Sequence, residues 1–155
     1  MRRHVYFYTH ITPPCQDAVD RLVGDPALWL PPPAEPDDEG WEILLHAEGV
    51  LPVGLATRPA RVILGEASVA RDRLLLPLMW QAAERGSLFP VLHADLALEA
   101  LGDSGCHLSL MGSYRPPLSV VGGAADALHG HRVAEATVRR FVLDVADRLT
   151  SVGAR

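Results

Sequence analysis

Residues 131–149 read HRVAEATVRRFVLDVADRL, and their periodicity sets how the rest of the chain is arranged. Advancing about 100° per residue from Val138, taken as the centre of an apolar face, places Phe141, Val142, Val145 and Leu149 within about 60° of it. Upstream, Ala134, His131, Ala127, Ala124 and Val120 fall on the same face. The helix therefore extends back through PPLSVVGGAADALHG to a length of up to about thirty residues, against a usual length of about 11–12. Its apolar face is split. The C-terminal half carries Phe141, Val142, Val145 and Leu149, whereas the N-terminal half carries Gly123, Ala124, Ala127, Gly130, His131 and Ala134. Bulky side chains fill space against a sheet, and small ones either let backbones approach or leave a void. Two readings stay open: an apolar cavity under the small half with His131 facing into it, or a satisfied core histidine beneath a closely packed helix.

His129 and His131 flank Gly130 and invite a metal-binding reading. On a continuous helix His129 points about 180° from the apolar centre, so the two imidazoles cannot share an ion unless the helix breaks at Gly130. A helical glycine costs only about 1 kcal/mol relative to alanine, which favours continuity and no metal here.

Ahead of this helix the chain alternates breaks and strands. HVYFYTHI is aromatic and β-branched and reads as a first strand of about seven residues. Thr12 or Pro13 then launches a helix through PCQDAVDRLV, closed near Gly24, and Asp25-Pro26 starts a second short helix running to Leu30. PPPAEPDDEG reads as a surface connection that propagates neither helix nor sheet. WEILLHAEG, ARVILGEASVA, RLLLPLMWQAAE, LFPVLHADLALEAL and CHLSLMGSYRP follow, separated by Gly, Pro, Asp or Arg, as an antiparallel meander. With the first strand that makes a sheet of about six strands. Side-chain alternation places Leu92, Ala94, Leu96 and Leu98 on a covered face opposite His93, Asp95 and Glu99, and Leu108, Leu110 and Tyr114 opposite His107 and Ser109. The strand at 73–84 is apolar on both faces, and Pro77 marks it as an edge, a bulge or a bend.

The bulk properties bound the function. A chain of 155 residues, 48% hydrophobic and 21% charged, suits a single domain over 1–155 with a sizeable core. Its formal charge is −5, with no cluster of Lys or Arg, so no nucleic-acid partner is expected. Cys15 and Cys106 lie far apart without CxxC spacing, which indicates neither zinc nor a disulfide and suits a reducing cytosol. The N-terminus lacks a signal peptide's apolar core and no apolar run reaches membrane-span length; the expected location is cytoplasmic. His93, Asp95 and His107 carry metal-ligand chemistry but share the wet face, where a solvated patch is the simpler reading. His46, Glu48 and Glu66 alternate with apolar neighbours, so a carboxylate in the cavity stays open. VVGGAADAL lacks GxGxxG spacing and a phosphate-loop lysine, and GDSGC is a turn, so no cofactor is expected.

Strand, two short helices, an antiparallel run and one long closing helix is an order shared with a known superfamily. On that order, on FPVLHADLAL leading to LSLMGSYRPPL, and on the closing HRVAEATVRRFVLDVADRL, nearly the whole chain resembles the START/Bet v 1-like superfamily, also called SRPBCC or polyketide cyclase/dehydrase-like. The resemblance implies an α+β helix-grip fold, a curved antiparallel sheet gripping the last helix around an apolar tunnel. Members bind lipids, sterols, polyketides or hormones, and some catalyse cyclisation or dehydration. No subfamily catalytic motif is present, so the resemblance assigns no catalytic residue.

The first expectation is thus a binding protein for a hydrophobic small molecule. Trp80, Leu96, Leu110 and Tyr114 of the sheet would line its cavity with Ala127, His131, Ala134, Val138 and Phe141 of the helix, His131 and Tyr114 orienting the ligand. The alternatives are a cyclase or dehydratase on a polyketide-like substrate, with His131 as acid or base and Tyr114 as hydrogen-bond donor, and an interaction module with a filled core, a homodimer through the doubly apolar strand at 73–80. The enzyme reading lacks a second titratable group beside His131.

Overall fold

A computed structural model describes residues 2–12, 14–83, 89–102, 105–115 and 124–151, the last segment with side chains from Gly130 onward. The elements are β1 (Arg3–Ile11), α1 (Cys15–Leu22), a 3-10 turn at Pro26–Leu28, β2 (Pro33–Pro36), β3 (Trp41–His46), β4 (Thr57–Leu64), β5 (Ser68–Ala70), β6 (Arg73–Ala82), β7 (Leu92–Ala100), β8 (Cys106–Tyr114) and α2 (Ala124–Ser151). All strand pairs are antiparallel, in the order β1-β8-β7-β6-β4-β3-β2, with β5 also paired to β6.

Helix α2 touches β1 and β8 at one end of this order and β3 near the other. Five strand spacings would hold β1 and β3 about 24 Å apart in a flat sheet, whereas a helix with its side chains is only about 10–12 Å across. The sheet must curve around α2 to make both contacts. The face turned inward is the one the wheel picks out, with Ala134, Val138, Phe141, Val142, Val145 and Leu149 all buried, and it is broadened by buried Val133, about 140° from Val138. Thr137 is buried among them, its hydroxyl donating to the Val133 carbonyl. The sheet answers with Leu74, Leu76, Leu78 and Trp80 of β6, Leu92, Leu96 and Leu98 of β7, and Leu108, Leu110 and Tyr114 of β8. The short elements dock on this layer through Ala18 and Leu22 of α1, and Arg21 donates to the Leu149 carbonyl near the end of α2, a favourable pairing with the orphan acceptors there.

Three local readings are corrected. PPPAEPDDEG is not purely a connection: Pro33–Pro36 forms β2, paired with β3 through a register shift between Pro33 and Glu35. Proline is tolerated because β2 is the last strand of the sheet and needs partners on one side only. ARVILGEASVA is two strands, β4 and β5, which with β2 raises the count to eight among the described residues. Pro77 sits where they change over: β6 pairs with β4 down to Leu78 and with β5 from Leu75, so the missing N–H falls in a gap of the ladder. The Pro77 carbonyl there accepts from the Gly65 N–H.

The third correction concerns the cysteines. The first and last strands are neighbours, and the Ile11↔Cys106 pairing carries the start of β8 to the end of β1, four residues before Cys15. Cys15 and Cys106 form a disulfide, Cα atoms 5.0 Å apart across 91 residues of sequence. Sequence separation concealed a closeness that strand pairing creates, and cysteine usage no longer argues for a reducing compartment. Among the described residues no helix is long and apolar enough to cross a membrane.

Candidate functional site

The polar centre of the molecule lies where β8 ends beneath α2. Tyr114 is the last residue of β8, on the inward parity and only 2% exposed. Its hydroxyl stands 2.7 Å from His131 Nδ1. On the other side of the imidazole, Nε2 lies 2.8 Å from a carboxylate oxygen of Glu135, one helical turn further along α2. The His131 side chain is 27% exposed and that of Glu135 60%, so the three groups form a chain of hydrogen bonds from the interior to the surface.

The protons on this chain follow from its ends. An ionised carboxylate only accepts, so Nε2 carries hydrogen and donates to Glu135. In the neutral imidazole Nδ1 is then an acceptor, and the Tyr114 O–H donates to it. Burial pushes the phenol above its ordinary range; Arg3 opposes this and the Glu135 charge adds to it. Tyr114 is thereby held as a donor.

Of the other residues expected to line a cavity, Trp80, Leu96, Leu110, Ala134, Val138 and Phe141 are buried. Trp80, Leu96 and Leu110 come from three adjacent strands, β6, β7 and β8, with Leu96 and Leu110 in direct register. Ala134, Val138 and Phe141 are buried on α2, and the Trp80 and Phe141 rings meet with centroids 5.0 Å apart. The side chains of Ala127 and His129 lie outside the described residues.

A groove of about 560 Å³ opens where α2 runs along the free edge of β1. Its apolar lining comes from Val5 and Phe7 of β1, Val50 of the β3–β4 connection and Ala136 of α2. Arg132, Glu135 and Arg139 project from α2 into its wall, opposite His4 and Tyr6. The connection itself is clasped to the helix: Glu48 pairs with His46 at 3.0 Å and with Arg140 at 3.7 Å. Burial raises the Glu48 carboxyl, but its own backbone N–H, His46 and Arg140 together outweigh this and hold it low. Glu66, the third residue of that sequence group, is exposed between β4 and β5.

The sheet does not assemble His93, Asp95 and His107. Register places His93 opposite Ser113 and Asp95 opposite Met111, while His107 faces Glu99, four residues further along β7. His107 instead packs on the outer face against Tyr8 and His10, with ring centroids at 4.8 and 5.3 Å.

No protein-family model matches the chain, and no curated protein matches it in sequence. Solved structures do match along its whole length. Norcoclaurine synthase from Thalictrum flavum superposes with a TM-score of 0.61 at 10% identity, covering 100% of this chain and 95% of that one. An aromatase/cyclase from a Streptomyces species gives 0.53 at 16% identity, with 100% and 95% covered. A conserved protein from Geobacillus kaustophilus gives 0.52 at 8%, with 98% and 94% covered. The fold shared with them is the α+β helix-grip fold. At these identities the likeness concerns architecture, and activity must be read from this helix-grip chain's own side chains.

Glu135 is the one member of the polar chain that the sequence reading passed over. It stands about 60° from the centre of the α2 apolar face, at the border of the helix-grip contact. The i, i+4 spacing to His131 was the available sign, since residues so spaced are neighbours on a helix surface.

Proposed function

We propose that the protein binds a hydrophobic small molecule between the sheet and the C-terminal helix and acts on it by proton transfer. The observation that carries this reading is the unbroken chain from Tyr114 through His131 to Glu135. A carboxylate at the wall of the groove is within reach of a bound molecule, and the His131 imidazole behind it fixes its position and is itself fixed by a buried phenol. This supplies the second titratable group that an acid–base mechanism needs. Trp80, Leu96, Leu110, Ala134, Val138 and Phe141 are buried and supply a water-poor interior between sheet and helix.

In a dehydration, Glu135 takes a proton from a carbon beside a carbonyl, and the freed electron pair forms the C=C bond as the neighbouring hydroxyl departs. The departing oxygen recovers the proton from Glu135 and leaves as water. Glu135 is the catalytic residue in this scheme, and His131 and Tyr114 are positioning residues. That norcoclaurine synthase and an aromatase/cyclase share the fold supports the reading at the level of architecture only.

Native mass spectrometry beside the denatured spectrum first shows whether an apolar compound is retained. A panel of β-hydroxy ketones with an aryl group is then titrated while the 15N resonances of the His131 ring are followed. Binding is expected to move both ring nitrogens, and Glu135→Gln is expected to abolish turnover while leaving the fold intact. A panel that binds without moving these resonances, or a Glu135→Gln variant that turns over normally, reduces the chain to hydrogen-bond satisfaction of a core histidine.

A further inference from the structure

The groove beside the proposed acid–base chain carries an electrostatic feature that proton transfer does not use. Arg132, Glu135 and Arg139 lie along one face of α2, and Glu135 is three residues from one arginine and four from the other. Both spacings are those at which helical ion pairs form. Glu135 makes neither pair; its carboxylate is turned to His131 Nε2. Among the described residues neither Arg132 nor Arg139 is ion-paired, whereas the adjacent Arg140 is engaged by Asp144 and Glu48. The groove thus presents two open guanidinium groups above an apolar floor of Val5, Phe7, Val50 and Ala136, on a chain whose formal charge is −5.

We infer that the groove selects a carboxylate-bearing ligand with an aromatic or aliphatic body, the carboxylate held by Arg132 or Arg139 and the body laid on the apolar floor beside Glu135. The inference rests on the reading of Glu135 as the group that meets the ligand. Guanidinium groups match planar carboxylates with paired, parallel hydrogen bonds. The two arginines are seven residues apart, about 10.5 Å along the helix. Glu135 between them disfavours a dianion, and a singly charged head at one end of the groove leaves the body beside the base. The volume suits a molecule of two or three fused rings.

The test compares 2-naphthoate with its uncharged isostere 2-naphthamide by calorimetric titration. The wild-type protein is expected to bind naphthoate about tenfold or more tightly than naphthamide, the gain expected of a charge-assisted contact. In an Arg132→Gln/Arg139→Gln variant the two affinities are expected to converge through loss of naphthoate binding alone. Equal affinities in the wild type, a preference that survives in the double variant, or no binding of either probe at millimolar concentration overturns the inference. The His131 ring resonances separate this result from the mechanism: a charge preference without any ring shift leaves the carboxylate site standing and removes the proton-transfer reading alone.

Discussion

Tyr114 joins a buried phenol to a polar network, and its burial has a consequence for stability at high pH. Its folded-state ionisation is raised above the unfolded value of 10.0, so the unfolded chain releases this proton first. The stabilisation is complete below the unfolded value and is lost as pH climbs through the folded one. Tyr114→Phe is expected to cost about 1 kcal/mol at neutral pH through the lost hydrogen bond to His131. The gap between variant and wild type should narrow above about pH 10, which urea unfolding at several pH values would measure. A gap of constant width would mean that the phenol ionises in place. Glu135→Gln belongs at the same scale with the opposite balance: the carboxylate is largely exposed, and the midpoint of unfolding should move by less than about 0.5 kcal/mol equivalent even where function is lost.

At the scale of elements, α2 behaves as two pieces with different tolerances. Phe141 is buried against Trp80 in the bulky half, and Phe141→Ala should lower stability by about 3–5 kcal/mol, read from denaturant unfolding. Gly130 is helical, and a Cβ built on it meets nothing within 4 Å. Gly130→Ala should therefore raise stability by about 0.5–1 kcal/mol through the unfolded chain's lost freedom. These elements also show what could be read from sequence. The helix, most of its buried face and the strands β7 and β8 follow from periodicities of 3.6 and 2 that lie within single segments, whereas β6, apolar on both faces, is legible as a continuous apolar run. Strand β2 escaped because a proline-rich stretch has no such pattern and becomes a strand only by lying at the edge beside β3. Tyr114 and His131 were visible as polar groups on apolar parities. Glu135 was hidden because a residue at the border of a face is assigned by its partner, and the partner is known only once the helix is docked.

For the whole molecule, the chain is fastened at several distant points. The Cys15–Cys106 disulfide ties the start of α1 to the start of β8, and the Glu48–Arg140 pair ties the β3–β4 connection to α2. Replacing both cysteines by serine should lower stability by about 2–4 kcal/mol, the usual worth of closing a long loop. The matching observation is a drop in the urea midpoint of the wild type on adding reductant, absent from the double-serine protein. The two cysteines illustrate the limit of linear reading: strand pairing joins positions 91 residues apart, and nothing local to either cysteine announces the other.

The adjacency of β1 and β8 also bears on synthesis. Arg3–Ile11 is synthesised before β2 to β7, but Cys106–Tyr114, its only strand partner among the described residues, follows all of them. Until then β1 offers unpaired backbone and its Tyr6 and Tyr8 side chains to whatever is near, the condition in which strands join wrong partners. Such non-local pairing slows folding relative to local contacts, so β1 stays exposed until the two strands meet.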